Sequence, residues 1–160
     1  AAINRRVSLL FRMGERYVNR ELTGRVVTSG TAPLLLELRD GGPRQVTALA
    51  QAIGVDKAHV ARSIRPLEEA GLVEVAPVPG GGRRLLVSLT DAGLREVAYA
   101  ERVMLDWLAV VGRGIDPGEL RVVDAVFDRF FANAQDYFAS SAAIPSRTSS
   151  SPGANSRAKE

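Results

Sequence analysis

Residues 47–73 read TALAQAIGVDKAHVARSIRPLEEAGLV, two short apolar-periodic segments separated by one glycine and closed by another. Thr47 is expected to cap a helix over Ala48 to Ile53 that turns Leu49, Ala52 and Ile53 inward. Gly54 follows at the place where a helix end usually needs a left-handed residue. Asp56 caps the next helix, which carries Val60, Ile64 and Leu67 on one face and stops at Gly71. Two short helices joined by Gly54-Val55 make a helix-turn-helix pattern. Pro66 disturbs it, because proline offers no N–H to the carbonyl of Arg62 and disfavours helical geometry at Arg65. A kink or early loosening is therefore expected, with Asp56 to Arg65 left as the regular part.

Beyond Gly71 the period changes from helical to two. Leu72, Val73, Val75 and Val78 form one strand, Pro79-Gly80-Gly81-Gly82 a mobile tip, and Arg83 to Leu89 the return strand. A hairpin directly after a helix-turn-helix is a wing.

The flanks are helical. Apolar residues at Ile3, Val7, Leu10, Gly14, Tyr17 and Leu22 give an amphipathic helix from Ala2 to Leu22. Thr28 to Thr31 supplies the cap of a short helix over Ala32 to Leu38, which Asp40-Gly41-Gly42-Pro43 breaks. Thr90-Asp91 caps a long helix whose buried stripe is expected at Leu94, Val97, Met104, Leu108 and Val111. Asp116-Pro117-Gly118-Glu119 is a capping box that opens a final helix bearing Leu120, Val123, Phe127, Phe130, Ala134 and Tyr137, widened by Phe131 and Phe138. From 139 to 160 Ser, Pro, Gly, Ala and Asn dominate, and a disordered tail is expected.

Composition narrows the chemistry. The chain has 160 residues, no Cys and one His. Thiol redox chemistry, thiolate catalysis and Cys-ligated zinc all need the missing sulfur, and His59 alone cannot build a multi-histidine metal site. No metal or cofactor is expected. No nucleophile and base stand in a recognisable motif, so an enzyme is not expected. Apolar runs fall far short of the ~20 residues that span a bilayer, and no secretion signal is read, so a cytoplasmic protein without a membrane partner is expected. The net charge of +3 hides an uneven distribution. Residues 1–30 carry six Arg against two Glu, whereas 91–138 carry five Arg against nine acids.

Taken in order, Val55-Asp56-Lys57-Ala58-His59-Val60-Ala61-Arg62, Leu67-Glu68-Glu69-Ala70-Gly71-Leu72-Val73, Arg83-Arg84 and Ser88-Leu89-Thr90-Asp91-Ala92-Gly93 resemble the MarR family of winged helix-turn-helix transcriptional regulators. The resemblance covers about residues 2–138. It implies a mainly α fold with a small β-wing, in which a DNA-binding lobe at 31–90 is flanked by dimerisation helices at 1–30 and 91–138. It also implies a homodimer on a pseudo-palindromic double-stranded operator. The opposite charges of the two flanks fit that pairing. Small, often aromatic anions release similar regulators from DNA. Here Phe11, Tyr17 and Trp107 are candidates to line such a site, with Arg12 or Arg16 as the anion's partner; packing in the core is their ordinary alternative.

A recognition helix in the major groove presents outward side chains near its N-terminus to base edges. With Val60, Ile64 and Leu67 inward, those are Lys57, Ala58, His59, Ala61, Arg62 and Arg65. Arg62 suits bidentate contact with guanine, Lys57 and Arg65 suit phosphate, and His59 is either a donor to DNA or an idle solvent-facing side chain. Arg44 and Thr47, at the start of the first helix of the motif, are further phosphate candidates. Family members commonly carry an Asp two residues before the wing arginine; Gly82 stands there, ahead of Arg83 and Arg84. Either arginine is a candidate for the minor groove. A sequence-specific dimeric repressor is the leading expectation, and a protein-interaction module on a degenerate winged-helix fold is the alternative.

Overall fold

A computed structural model describes residues 2–141. The chain divides into two units, residues 1–120 and 121–160. The first contains α1 (Ala2–Glu21), α2 (Ala32–Gly41), β1 (Arg44–Gln45), α3 (Val46–Ile53), α4 (Lys57–Glu69), β2 (Val73–Pro77), β3 (Leu85–Leu89) and α5 (Asp91–Val111). Helix α6 (Pro117–Ser141) opens in the first unit and forms the described part of the second. The expected tail lies outside the described residues, except that the helix carries on through Ser141, past the 138 limit expected for it. Among the described residues no helix is long and apolar enough to cross a membrane.

The core gathers where α2, α3, α4 and the sheet converge on α5. Leu34, Leu35, Leu49, Val60, Leu67, Val87 and Val97 are all essentially inaccessible to solvent. The sheet is antiparallel in the order β1-β3-β2, with Val75 opposite Val87 and Arg44 opposite Val87 on its other edge. Strand β1 was not legible in the sequence. Gly42, at φ 73°, turns the chain, and Arg44 and Gln45 run extended beside β3. In consequence α3 begins at Val46 with Gln45 as its cap residue, and Thr47 lies in the first turn rather than capping it.

Other local expectations are corrected in the same way. Helix α2 runs to Gly41 instead of stopping at Leu38, with Arg39 of its last turn held to Glu101. Thr31 makes no side-chain cap to α2; its hydroxyl accepts from the Thr28 N–H (2.9 Å). Helix α4 does not end at Pro66 but continues to Glu69. Only one backbone bond is forfeited there, while Leu67 is fully buried and the Pro66 carbonyl accepts from Ala70 N–H at 3.1 Å. The buried stripe of α5 is Gly93, Val97, Ala100 and Val103; Leu94 and Leu108 face solvent.

The caps at Asp56 and Thr90 stand as expected. The Asp56 carboxylate accepts from His59 N–H at 2.7 Å. The Thr90 hydroxyl accepts from Gly93 N–H at 3.0 Å and donates to the Gly71 carbonyl at 2.6 Å, tying the turn after α4 to the start of α5. Asp116 and Glu119 open α6 reciprocally: Asp116 Oδ1 accepts from Gly118 N–H and Glu119 Oε2 from Asp116 N–H.

Candidate nucleic-acid interface

Helix α4 is amphipathic at a period that buries Val60, Ile64 and Leu67 and leaves Lys57, Ala58, His59, Ala61, Arg62 and Arg65 exposed. Four polar, hydrogen-bonding side chains thus share the outer face of one helix. They differ in how far their charge is already spent. Arg65 Nε donates to Glu69 Oε1 at 3.0 Å, an exposed pair one turn apart. Among the described residues Lys57 and Arg62 lie in no ion pair. Ser63 Oγ donates to the His59 carbonyl at 2.9 Å and so turns away from the outer face.

The remaining expected contacts divide. Thr47 is exposed in the first turn of α3. Arg44 belongs to β1 instead of opening that helix, and its Nη2 lies 2.9 Å from Glu37 Oε1. Its Nε is buried without a hydrogen-bond partner, so a phosphate would have to compete with Glu37 for a half-buried group. Arg83 and Arg84 are both exposed at the wing, separated from α4 in sequence by the whole of β2.

The residues expected to bind an effector are only partly brought together. Tyr17 and Trp107 pack with ring centroids 5.3 Å apart and planes tilted by 32°, linking α1 to α5. Gly14 lies close beneath the indole: a Cβ there would stand 3.0 Å from Trp107 Nε1, so the ring would have to give by a few tenths of an ångström. Arg20, not Arg12 or Arg16, lies over the Tyr17 ring, 5.4 Å from its centroid. Arg12 and Arg16 are exposed, and Phe11 is 66% exposed rather than joined to the pair. A surface hollow of about 490 Å³ lies elsewhere, lined by Asn19, Arg25, Thr28 and Ser29 among others.

Two ion pairs that tie Arg25 and Arg39 to α5 had no local signal, since their partners are 71 and 62 positions apart. Arg25 Nη1 donates to both Glu96 oxygens at 2.7 and 2.9 Å, and its guanidinium stacks 3.8 Å from the Tyr99 centroid. Arg39 forks onto Glu101, Nη1 to Oε2 at 2.6 Å and Nη2 to Oε1 at 2.9 Å. Hydrogen bonding from Arg39 lowers the Glu101 pKa from its ordinary 4.5. A carboxylate with a depressed folded-state pKa adds stability above its ordinary range and loses it as pH falls through the folded value. The thermal midpoint is expected to fall on acidification below pH 4.5, and Glu101→Gln to make that fall shallower. Coincident midpoint-against-pH curves for the two proteins would remove Glu101 as the cause.

A helix-turn-helix closed by a two-stranded wing on α5 defines a winged helix-turn-helix protein. The MarR family model matches residues 27–84. Over that segment the chain is similar to the MarR family. Among curated relatives it is 37% identical to the HTH-type transcriptional repressor NicR of Pseudomonas putida over 59 residues, which is 37% of each chain. It is 36% identical to an HTH-type transcriptional regulator of Mycobacterium bovis over 75 residues, 47% of this chain and 52% of that one. The matched segment thus spans about half or less of those relatives. Solved structures share the fold: a MarR protein from Peptoclostridium difficile has a TM-score of 0.81 at 18% identity, covering 88% of this chain and 92% of that one. A mutant of Escherichia coli MarR complexed with operator DNA gives 0.71 at 19% identity, covering 81% and 93%. Bordetella bronchiseptica BpsR, solved to explain regulation of its DNA binding by 6-hydroxynicotinic acid, gives 0.72 at 19% identity, covering 81% and 98%.

Proposed function

We propose that this chain is a dimeric, sequence-specific DNA-binding transcriptional regulator, a repressor with no catalytic activity that works in the cytoplasm. The observation that carries the reading is the outer face of α4, where Lys57, His59, Arg62 and Arg65 stand exposed over a buried Val60, Ile64 and Leu67. Such a face reads base edges from the major groove, with Arg62 on guanine and Lys57 on phosphate. Thr47 and the wing arginines extend the contact to neighbouring phosphates and the minor groove. Support comes from the repressor name of the Pseudomonas relative and from the operator complex of the E. coli neighbour.

Residues 31–90 form the DNA-binding lobe in this reading, and the helices of 1–30 and 91–138 make the dimer. Ile3, Val7, Leu10 and Phe11 on α1 and Phe127, Phe130, Phe131, Tyr137 and Phe138 on α6 are all exposed in a single chain. Apolar side chains in that number favour burial against a second copy. A small organic anion loosens DNA, as the ligand regulation of BpsR suggests, by binding one spacing of the two lobes better than the other.

The test is a gel shift with DNA from upstream of the chain's own gene against scrambled competitor, together with light scattering at micromolar protein. A shifted band that scrambled DNA does not remove, and a dimer mass, are expected. Equal competition by scrambled DNA overturns sequence-specific binding, and a monomer mass overturns the dimer.

A further inference from the structure

The wing tip contains three successive glycines, and such a run in isolation would give a flexible loop. Instead two tight turns close it. The first runs from Val78 to Gly81, with Pro79 and Gly80 at its centre and Gly81 N–H donating to the Val78 carbonyl at 2.8 Å. Proline followed by a glycine at φ 66° is the residue pair a type II turn requires. The second runs from Gly81 to Arg84, with Gly82 at φ 65°. Beneath both, Val78 N–H donates to the Arg84 carbonyl at 2.9 Å and completes the hairpin end.

The Gly81 carbonyl is where these turns meet Arg84. It accepts the Arg84 backbone N–H at 3.3 Å and the Arg84 Nε–H at 2.9 Å. One oxygen therefore holds both ends of the Arg84 side chain's reach. Nη1 and Nη2 make no hydrogen bond or ion pair among the described residues. A guanidinium bound through Nε keeps its plane, and the N–H bonds of its two Nη groups remain available for another acceptor. Arg83, next to it, makes no such bond among the described residues.

We propose that the Gly81 carbonyl is a positioning group that pre-orients Arg84, making Arg84 the wing arginine that enters the minor groove of DNA. The proposal rests on the DNA-binding function above. A carboxylate could orient an arginine equally well but would cancel its charge; a neutral carbonyl leaves the whole positive charge facing the phosphates. The glycine itself is required. A Cβ at Gly81 would lie 2.6 Å from Val78 Cβ and 2.9 Å from the Val78 carbonyl oxygen, so any larger residue must open the first turn and carry the carbonyl away.

The experiment compares the full chain with Arg83→Ala, Arg84→Ala, Arg84→Lys, Gly81→Ala and the Gly81→Ala/Arg84→Ala double variant, by fluorescence anisotropy on a duplex from upstream of the gene over a range of salt. Arg84→Ala is expected to weaken binding on the order of tenfold and to flatten the salt dependence, and Arg83→Ala to do less. Arg84→Lys keeps the charge but loses the planar fork, so its salt dependence should survive while its affinity drops. Gly81→Ala should weaken binding several-fold in the parent and not at all in the Arg84→Ala background. Equal losses in both backgrounds would reduce Gly81 to a merely structural role and overturn the proposal, as would unchanged binding by Gly81→Ala alone. A parent chain that does not prefer this duplex to scrambled DNA fails the function itself, before any variant is compared, and the proposal with it.

Discussion

Gly93→Ala is expected to destabilise the protein by about 3 kcal/mol, the upper part of the usual range for overpacking. Gly93 is buried at the first turn of α5, against the start of β2. A Cβ there would be driven into the Leu72 carbonyl oxygen and would come within 2.8 Å of Leu89 Cδ2. Leu89 can rotate away, but the Leu72 carbonyl cannot, because it accepts Thr90 N–H at 3.1 Å. The neighbouring Gly71 carbonyl is held by the Thr90 hydroxyl. Relief therefore means breaking the junction between wing and helix, and the helix propensity gained from alanine, about 1 kcal/mol, does not offset it. A midpoint lower by about 10 °C is expected for a chain of this size, measured by thermal unfolding at matched protein concentration. An unchanged midpoint would mean that the Leu72 carbonyl yields freely.

The second large effect is on DNA. Arg62→Ala should cost about 1–3 kcal/mol at each recognition helix, and the proposed dimer carries two, so a loss of about thirtyfold or more is expected. Arg62 is singled out on the outer face of α4, where Lys57 is the other cation outside any ion pair among the described residues but lacks the planar fork that pairs with guanine. Arg65 shares its charge with Glu69, Arg44 with Glu37, and Arg84 is bound by Nε to its own turn. Arg62 lies near the middle of α4, exposed, with no ion pair among the described residues. The loss should fall on the specific duplex and scarcely on scrambled DNA. Lys57→Ala, by contrast, should weaken both and reduce the salt slope by about one. Competition titrations on the two duplexes separate these outcomes. If Arg62→Ala weakened binding to both duplexes equally, Arg62 would be a phosphate contact and base reading would belong elsewhere.

What could be read along the chain was whatever is local. The cap at Asp56, the left-handed Gly54, the inward triad Val60, Ile64 and Leu67, and the hairpin turn between Val78 and Arg84 all depend on residues within a few positions of one another. For the same reason the outer face of α4 followed from sequence: once three residues are buried, helical geometry assigns the rest. Helix α4 continues past Pro66 because the proline's local cost is small against the burial of Leu67 on its far side. Likewise Leu94 and Leu108 satisfy a helical period yet face solvent, because Gly93, Ala100 and Val103 bring the backbone of α5 closer to the lobe than a stripe of large residues would allow.

The amino-acid order by itself determined a helix-turn-helix with a wing, flanked by long helices, because each of those elements is written in a short-range period or a cap. Tertiary structure alone decided which charges remain available. Arg25 and Arg39 are consumed by Glu96 and Glu101 on α5, and Arg44 by Glu37 across the start of β1. It likewise left Lys57 and Arg62 outside any ion pair among the described residues. Whether an arginine is free or spent is a matter of a few ångströms between groups distant in sequence, and no period or motif carries that distance.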